Sequence, residues 1–253
     1  MDEHLDGGMT EVVRRGATVL RAGGPWTAGV HALLRHVRAR GIAWVPEPLG
    51  VLPDGREAVS FLDGEVPGYP LPAHVWAPGV LLAAAGLLRA LHDATAGFPL
   101  ENRTWQLAAH APAQVVCHND FAPHNLVFRD GIPVAVIDFD TASPGPRAWD
   151  LAHLAYRVVP LTAPGHPEVP PSSAAVRAGR LDALCAAYAG GPAVPGCSPG
   201  EVLALAAARV EELAEFTAAR ARAERSDELA HHVELYRADV AHLRGAGAGL
   251  LDR

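Results

Sequence analysis

The stretch from Cys117 to Asp140, CHNDFAPHNLVFRDGIPVAVIDFD, sets four Asp, two His and two Asn into an otherwise apolar run. Polar groups in such a run must find partners or stay at the boundary with water. Arg129-Asp130-Gly131 reads as a hairpin turn between strands at 126–128 and 132–137. That turn brings Asn125 and Asp138 to one open end, and Asp120 lies just before them in a loop that Pro123 keeps from becoming helix. A hard dication such as Mg²⁺ takes oxygen ligands, often only one or two from protein, with water and substrate phosphates completing the shell. Asn125 and Asp138 fit that need. Asp120, not required by the metal, is placed to accept a proton from a hydroxyl attacking phosphorus.

The rest of the chain narrows the function classes. Its 253 residues, 49 % apolar, allow one large or two-lobed unit with a sizeable core. The formal charge is -7, and every one of the 21 bases is Arg, since Lys does not occur. A nucleic-acid binder would lean the other way, so no nucleic-acid partner is expected. Cys117, Cys185 and Cys197 are odd in number and form no C-x-x-C pair, which argues against a disulfide framework or zinc site and for a reducing compartment. The first residues, MDEHLDGG, lack a basic-then-apolar leader, and the longest apolar run, Gly79 to Leu88, is too short to cross a bilayer. The expectation is a cytoplasmic protein without a membrane partner.

Up to about residue 60 the pattern is strand-like with one helix: TEVVR, a turn at Gly16, TVLRA, a helix over 30–40 ending at Gly41, then REAVSFL after Asp54-Gly55. From Pro78 helices dominate: GVLLAAAGLLRALHDA, WDLAHLAYRVV with Leu151, Leu154, Ala155 and Val158 on one face, and a final helix over 227–243. The five prolines of 160–173 read as a loop, and Ser198-Pro-Gly-Glu201 as a capping box opening a helix whose Val202, Leu205, Val210, Leu213 and Phe216 line one side. This is an α+β chain: a small sheet-bearing lobe over 1–62, a tether near 61–72, and a helical lobe within 63–253.

The spacing D-x-x-x-x-N followed by an apolar strand ending in D-F is that of the kinase catalytic template. CHNDFAPHN stands where a protein kinase has its H-R-D loop, and IDFD where D-F-G would be. The loop lacks an Arg before Asp120. With IDFDTASPGPRAWDLAHLAY downstream, the chain resembles the aminoglycoside phosphotransferase and choline kinase group more than the protein kinases. The resemblance runs from Thr10 to about Tyr156 and is most specific between His118 and Leu151. The AGGPW…VHALLRH run also resembles small actinobacterial members of that family, some described as trifolitoxin-immunity-like.

The resemblance implies a two-lobed protein-kinase-like fold with a shortened first lobe, binding ATP and Mg²⁺ between the lobes. It implies Asp120 as catalytic base, Asn125 and Asp138 as Mg²⁺ ligands, and Asp150 as a carboxylate steadying the catalytic loop. His118 is expected to support that loop by hydrogen bonding, and Ser60, Phe61 and Leu62 to offer backbone groups to adenine. Family members usually carry a Lys on the third strand, paired to a Glu on the next helix. TVLRA puts Arg21 there instead, an Arg able to grip phosphate. No Asp or Glu lies between Glu11 and Glu47, so the usual ion pair is not expected. Gly7-Gly8 reads either as flexible chain or as a shortened phosphate loop. Late acidic residues (Glu211, Glu212, Glu215, Asp227, Glu228) read as a solvated face or a hold on a cationic substrate. Three functions compete: phosphotransfer to a hydroxyl of a small molecule, a cationic antibiotic among the candidates; phosphorylation of Ser or Thr in a short natural-product peptide; and nucleotide binding by an immunity protein with little or no turnover.

Overall fold

Gly16, in the left-handed region at φ 63°, closes the hairpin between β2 (Val12–Arg15) and β3 (Thr18–Ala22). β1 (Asp2–Leu5) adds to β2, while β5 (Arg56–Ser60) pairs with β3 and β4 (Pro48–Val51) with β5, giving an antiparallel sheet in the order β1-β2-β3-β5-β4. The structure, a computed structural model, describes residues 2–5 and 12–251; Gly7-Gly8 lie outside the described residues. Neither β1 nor β4 was expected from sequence, because each is a four-residue edge strand without clear alternation. Register matters most in the middle: Arg21 on β3 stands opposite Glu57 on β5.

Between β3 and β4 runs α1 (Thr27–Ala39), three residues earlier at its start than the sequence pattern gave. It buries Val30, Leu33, Leu34 and Val37, the i, i+3, i+4, i+7 spacing of an apolar stripe. These side chains join one continuous core with α2 (Pro78–Thr95), the hairpin β7 (Leu126–Arg129)–β8 (Ile132–Val136) and α3 (Arg147–Val158). Asp130 and Gly131 both take positive φ (50° and 74°), the type I′ geometry that the Asp-Gly dipeptide favours. A second short ladder, β6 (Val115–Cys117) with β9 (Ser143–Gly145), brackets the loop that carries Asp120.

The helical lobe is completed by α4 (Ala174–Ala189), α5 (Pro199–Glu224) and α6 (Asp227–Arg244). The expected capping box is present: Ser198 accepts from the Glu201 amide, and the Glu201 carboxylate takes the Ser198 amide at 3.0 Å. The apolar face of α5 is wider than expected: Val202 and Val210 are buried and Leu205 and Leu213 pack partly buried against the core, but Leu203, Ala206 and Arg209 are buried as well, and Phe216 is only partly buried. α4 had no counterpart in the sequence reading. Its Ala-rich run lacks a sharp stripe, although its Ser173 cap and its Gly190 stop at φ 61° are both in the sequence. No helix among the described residues is long and apolar enough to cross a membrane.

The segment after β5 ties the sheet to the hairpin. Glu65 and Phe128 exchange backbone hydrogen bonds at 2.9 and 2.7 Å, and the Val136 amide donates to the Trp44 carbonyl at 3.1 Å. Gly64 makes the crossing feasible: at φ 146°, a Cβ there would come within 2.5 Å of Val127 Cγ1 and 2.6 Å of the Phe128 carbonyl oxygen. Gly64→Ala is therefore expected to destabilise the fold by about 2–3 kcal/mol, from backbone strain and overpacking together. A lowered urea midpoint with unchanged slope would check this, and a wild-type midpoint would refute it.

Candidate active site

Asp150 lies at the fourth position of α3 and is fully buried, with 0 % exposure. An isolated charge at that depth would be costly. Here its two oxygens accept the backbone amides of His118 (2.6 Å) and Asn119 (2.7 Å), and His92 Nε2 donates to it at 3.1 Å. Burial pushes the Asp150 carboxyl up, but these donors outweigh it and hold it below the usual range. Burial also keeps His92 neutral, so its Nδ1 accepts from the Tyr188 hydroxyl at 2.7 Å. Cys117 Sγ, the third metal-type donor in this group, donates to the Pro146 carbonyl, so the cluster is a closed hydrogen-bond network.

Pinned in this way, the loop turns sharply at Asn119 (φ 66°) and presents Asp120. His118 lies between Phe121 and Phe139; its Nδ1 accepts the Asp120 amide (3.3 Å), so its Nε2 donates to the Ile137 carbonyl (3.0 Å). Thr141 Oγ1 donates to the His118 carbonyl, and Arg209, only 2 % exposed, reaches from α5 to the Asn119 carbonyl. The loop is thus held from α3, α5 and the segment after β8.

The Asp120 carboxylate itself takes three side-chain donors. Oδ1 accepts from His153 Nε2 at 3.1 Å, and Oδ2 from His124 Nε2 at 3.2 Å and Asn125 Nδ2 at 2.9 Å. Burial raises this carboxyl, yet the His124 and His153 contacts outweigh it and hold Asp120 well below the usual carboxylate range. Burial, followed by the neighbouring Arg209, pushes His153 down to about 3, so it is a neutral ring acting by hydrogen bond. Asn125 spends its amide hydrogens on Asp120, which leaves its Oδ1 for a cation. Its carbonyl accepts the Ile137 amide at 2.9 Å, closing the hairpin end beside Asp138. Asp138 adopts φ 61° and remains 44 % exposed at the side chain.

Across the cleft Arg21 reaches this end from β3. Its Nε donates to Glu57 (2.5 Å), one terminal nitrogen to Asp138 (2.7 Å) and the other to Asp140 (2.5 Å). The helix after β3 carries no acid for Arg21, as expected, yet Arg21 is not without an acidic partner. The partner comes from the neighbouring strand, where β-sheet register sets Glu57 opposite Arg21, and not from the following helix. The helix supplies His31 instead, whose Nε2 lies 2.8 Å from Glu57. Burial would weaken the Arg21 cation, but Asp138, Asp140 and Glu57 outweigh it and keep the guanidinium firmly charged. One guanidinium faces three carboxylates, and burial, with Asp138 and Glu57 close by, lifts Asp140 to about 6. A carboxylate-rich, cation-deficient cluster beside an amide oxygen fits a hard dication, with Asn125 and Asp138 as the residues that would hold it.

At the tether, the Ser60 amide already donates to the Glu47 carbonyl (2.9 Å) and the Phe61 amide to the Ala17 carbonyl (2.8 Å), so neither of those amides is available to a base. Sequence reasoning missed Glu57, His31, Asp140, Arg209 and His153. Of these, His153 alone carried a readable signal: it stands three residues after Asp150, on the same face of one helix.

Residues 101–194 match the model of the phosphotransferase enzyme family. The trifolitoxin immunity protein of Rhizobium leguminosarum bv. trifolii is 42 % identical over 145 residues, 54 % of this chain and 54 % of that protein. The chain thus spans about half the length of the relative it matches. Among solved structures, a choline/ethanolamine kinase family protein from Mesorhizobium loti superposes with a TM-score of 0.63 at 18 % identity, covering 100 % of this chain and 88 % of that one. Plasmodium vivax ethanolamine kinase gives 0.69 at 12 %, over 99 % and 83 %. Aminoglycoside 2'-phosphotransferase-IIIa gives 0.58 at 14 %, over 96 % and 93 %. The fold is that of the kinase-like phosphotransferases, and the chain resembles their family in sequence.

Asp150→Asn keeps the volume but removes the charge from both loop amides. It is expected to cost about 1–3 kcal/mol and to speed hydrogen exchange at the His118 and Asn119 amides. Unchanged protection at both amides would show that Asp150 does not hold the loop.

Proposed function

We propose that the protein is an ATP- and Mg²⁺-dependent phosphotransferase that moves the γ-phosphoryl group to a hydroxyl of a small molecule. The observation that supports this reading is the reach of Arg21 from the sheet to Asp138 and Asp140: a cation able to grip phosphate would then lie beside carboxylates suited to a metal. In the reaction, the acceptor oxygen bonds to the γ-phosphorus as the bond to the bridging oxygen breaks, ADP departs, and the hydroxyl proton passes to Asp120. Asn125 and Asp138 would hold Mg²⁺, which would supply charge neutralisation at the phosphates. The low proton affinity of Asp120 favours a late proton transfer, with orientation of the hydroxyl as the main contribution of this carboxylate.

A second reading has one observation behind it, the 42 % identity to a protein named for immunity: a nucleotide-binding protein that protects by sequestering its partner, with little turnover. ADP release in the presence of hydroxylated acceptors separates the two. Asp120→Asn is expected to lower that release about 10²–10⁴-fold with nucleotide affinity retained, and Asp138→Ala to abolish its Mg²⁺ dependence. Equal ADP release by wild type and Asp120→Asn would refute the phosphotransferase reading.

Arg21→Ala should weaken ATP by about 1.5–3 kcal/mol while adenosine binding barely changes, because the lost contact is to phosphate oxygens. Arg21→Lys should recover only part of this: an ammonium has charge for Glu57 but no fork to span Asp138 and Asp140 as well. Calorimetry with both ligands checks it, and equal losses for ATP and adenosine would count against a phosphate grip.

A further inference from the structure

Sheet register sets Glu57 opposite Arg21, yet the two side chains do not pair in the way an arginine and a glutamate prefer. A guanidinium and a carboxylate are both planar, and their favoured contact is a fork in which two N–H groups meet the two oxygens. Here Glu57 takes a single hydrogen bond from this partner, from Arg21 Nε to Oε1 at 2.5 Å. Both terminal nitrogens point elsewhere, Nη1 to Asp138 Oδ1 (2.7 Å) and Nη2 to Asp140 Oδ1 (2.5 Å).

The second Glu57 oxygen is engaged from the other side. Oε2 lies 2.8 Å from Nε2 of His31, the fifth residue of α1. Glu57 is 1 % exposed and His31 3 %, so water does not compete for that bond. Burial raises the Glu57 carboxyl, but the bonds from His31 and Arg21 outweigh it and keep the group ionised. An ionised carboxylate only accepts, so the hydrogen belongs to His31 Nε2. The donor is also firmly placed. Val30 and Leu34, its neighbours on α1, are core residues, and Gly29 lies so near the segment before β6 that a Cβ there would come within 2.8 Å of the Thr104 carbonyl oxygen.

We infer that His31 is a positioning residue for the phosphate grip: by holding Oε2 it denies Glu57 a fork on Arg21 and leaves both terminal nitrogens of Arg21 directed into the cleft. Without that donor Oε2 would be a buried charged oxygen lacking a partner, which is costly. Rotation of the carboxylate would relieve it by taking Nη2, the terminal nitrogen beside Nε–H, away from Asp140 and closing the fork. Arg21 would then lie against the sheet and not across the cleft. For the phosphate this rests on the phosphotransferase reading, whereas the division of the two Glu57 oxygens does not.

NMR on the full chain without nucleotide reads the bond itself. In wild type, His31 should carry its proton on Nε2, with slowed exchange, and a bare Nε2 would overturn the assignment. His31→Leu stays apolar and helix-forming but donates nothing. The terminal N–H signals of Arg21, identified by their loss in Arg21→Lys, should shift in that variant, and His31→Gln, which restores a neutral N–H donor, should bring them back. Calorimetry reads the consequence: His31→Leu should weaken ATP about 10-fold with adenosine barely changed, and His31→Gln should recover most of that loss. Unchanged Arg21 signals in His31→Leu, equal losses for ATP and adenosine, or no recovery in His31→Gln would each overturn the role. If His31→Leu fails to fold, the wild-type spectrum alone decides. A wild type that holds ATP no better than adenosine removes the phosphotransferase reading, and the nucleotide-free spectra still judge His31.

Discussion

Two consecutive backbone amides end on one buried carboxylate, and the geometry of the cleft follows from that arrangement. Asp150 is affordable inside the core only because the His118 and Asn119 amides and the His92 ring surround it with donors. In return it fixes the loop through Asn119 into a left-handed turn that few non-glycine residues adopt unaided. Asp120 projects from that turn in one direction, and the hairpin end with Asn125 and Asp138 in another. Loss of the Asp150 charge would loosen the loop at His118 and Asn119, while the hairpin end stays held by its own ladder and by Arg21.

The second constraint is electrostatic and spans the cleft. Arg21 is the only described cation bonded to Glu57, Asp138 and Asp140 at once, and it joins the sheet to the hairpin end. In the usual kinase arrangement a lysine is paired by a helix glutamate. In this chain the acid has moved to the adjacent strand and the helix contributes a histidine behind it. The substitution of Arg for Lys makes sense in that light: a planar fork can face three carboxylates in different directions, which a point-like ammonium cannot do.

α3 carries a graded series of tasks along one face. Asp150 holds the loop, His153 orients Asp120, and Arg157 lines a small neighbouring cavity, at spacings of three and then four residues. A single rigid helix therefore keeps the support of the loop and the orientation of the proposed base in register, which is the kind of support that precise positioning requires. The relatives with known names span choline and ethanolamine kinases, an aminoglycoside phosphotransferase and an immunity protein.

The sequence by itself determined whatever depends on local pattern. The hairpin around Asp130-Gly131, the capping box at Ser198, the apolar stripe of α1 and the grouping of Asp120, Asn125 and Asp138 all follow from spacings of a few residues, since turn chemistry and helical periodicity act over that range. Tertiary structure decided the partners. Glu57 meets Arg21 only through the register of β3 with β5, thirty-six residues apart, and Asp140 and Asp138 approach that same guanidinium from beyond position 130. Arg209 caps the Asn119 carbonyl from ninety residues away, and the tyrosines around Arg157 come from the tether, α3 and α6. Charge pairing at such separations leaves no periodic trace in a single chain, because it depends on which faces the core brings together and not on what any one segment prefers.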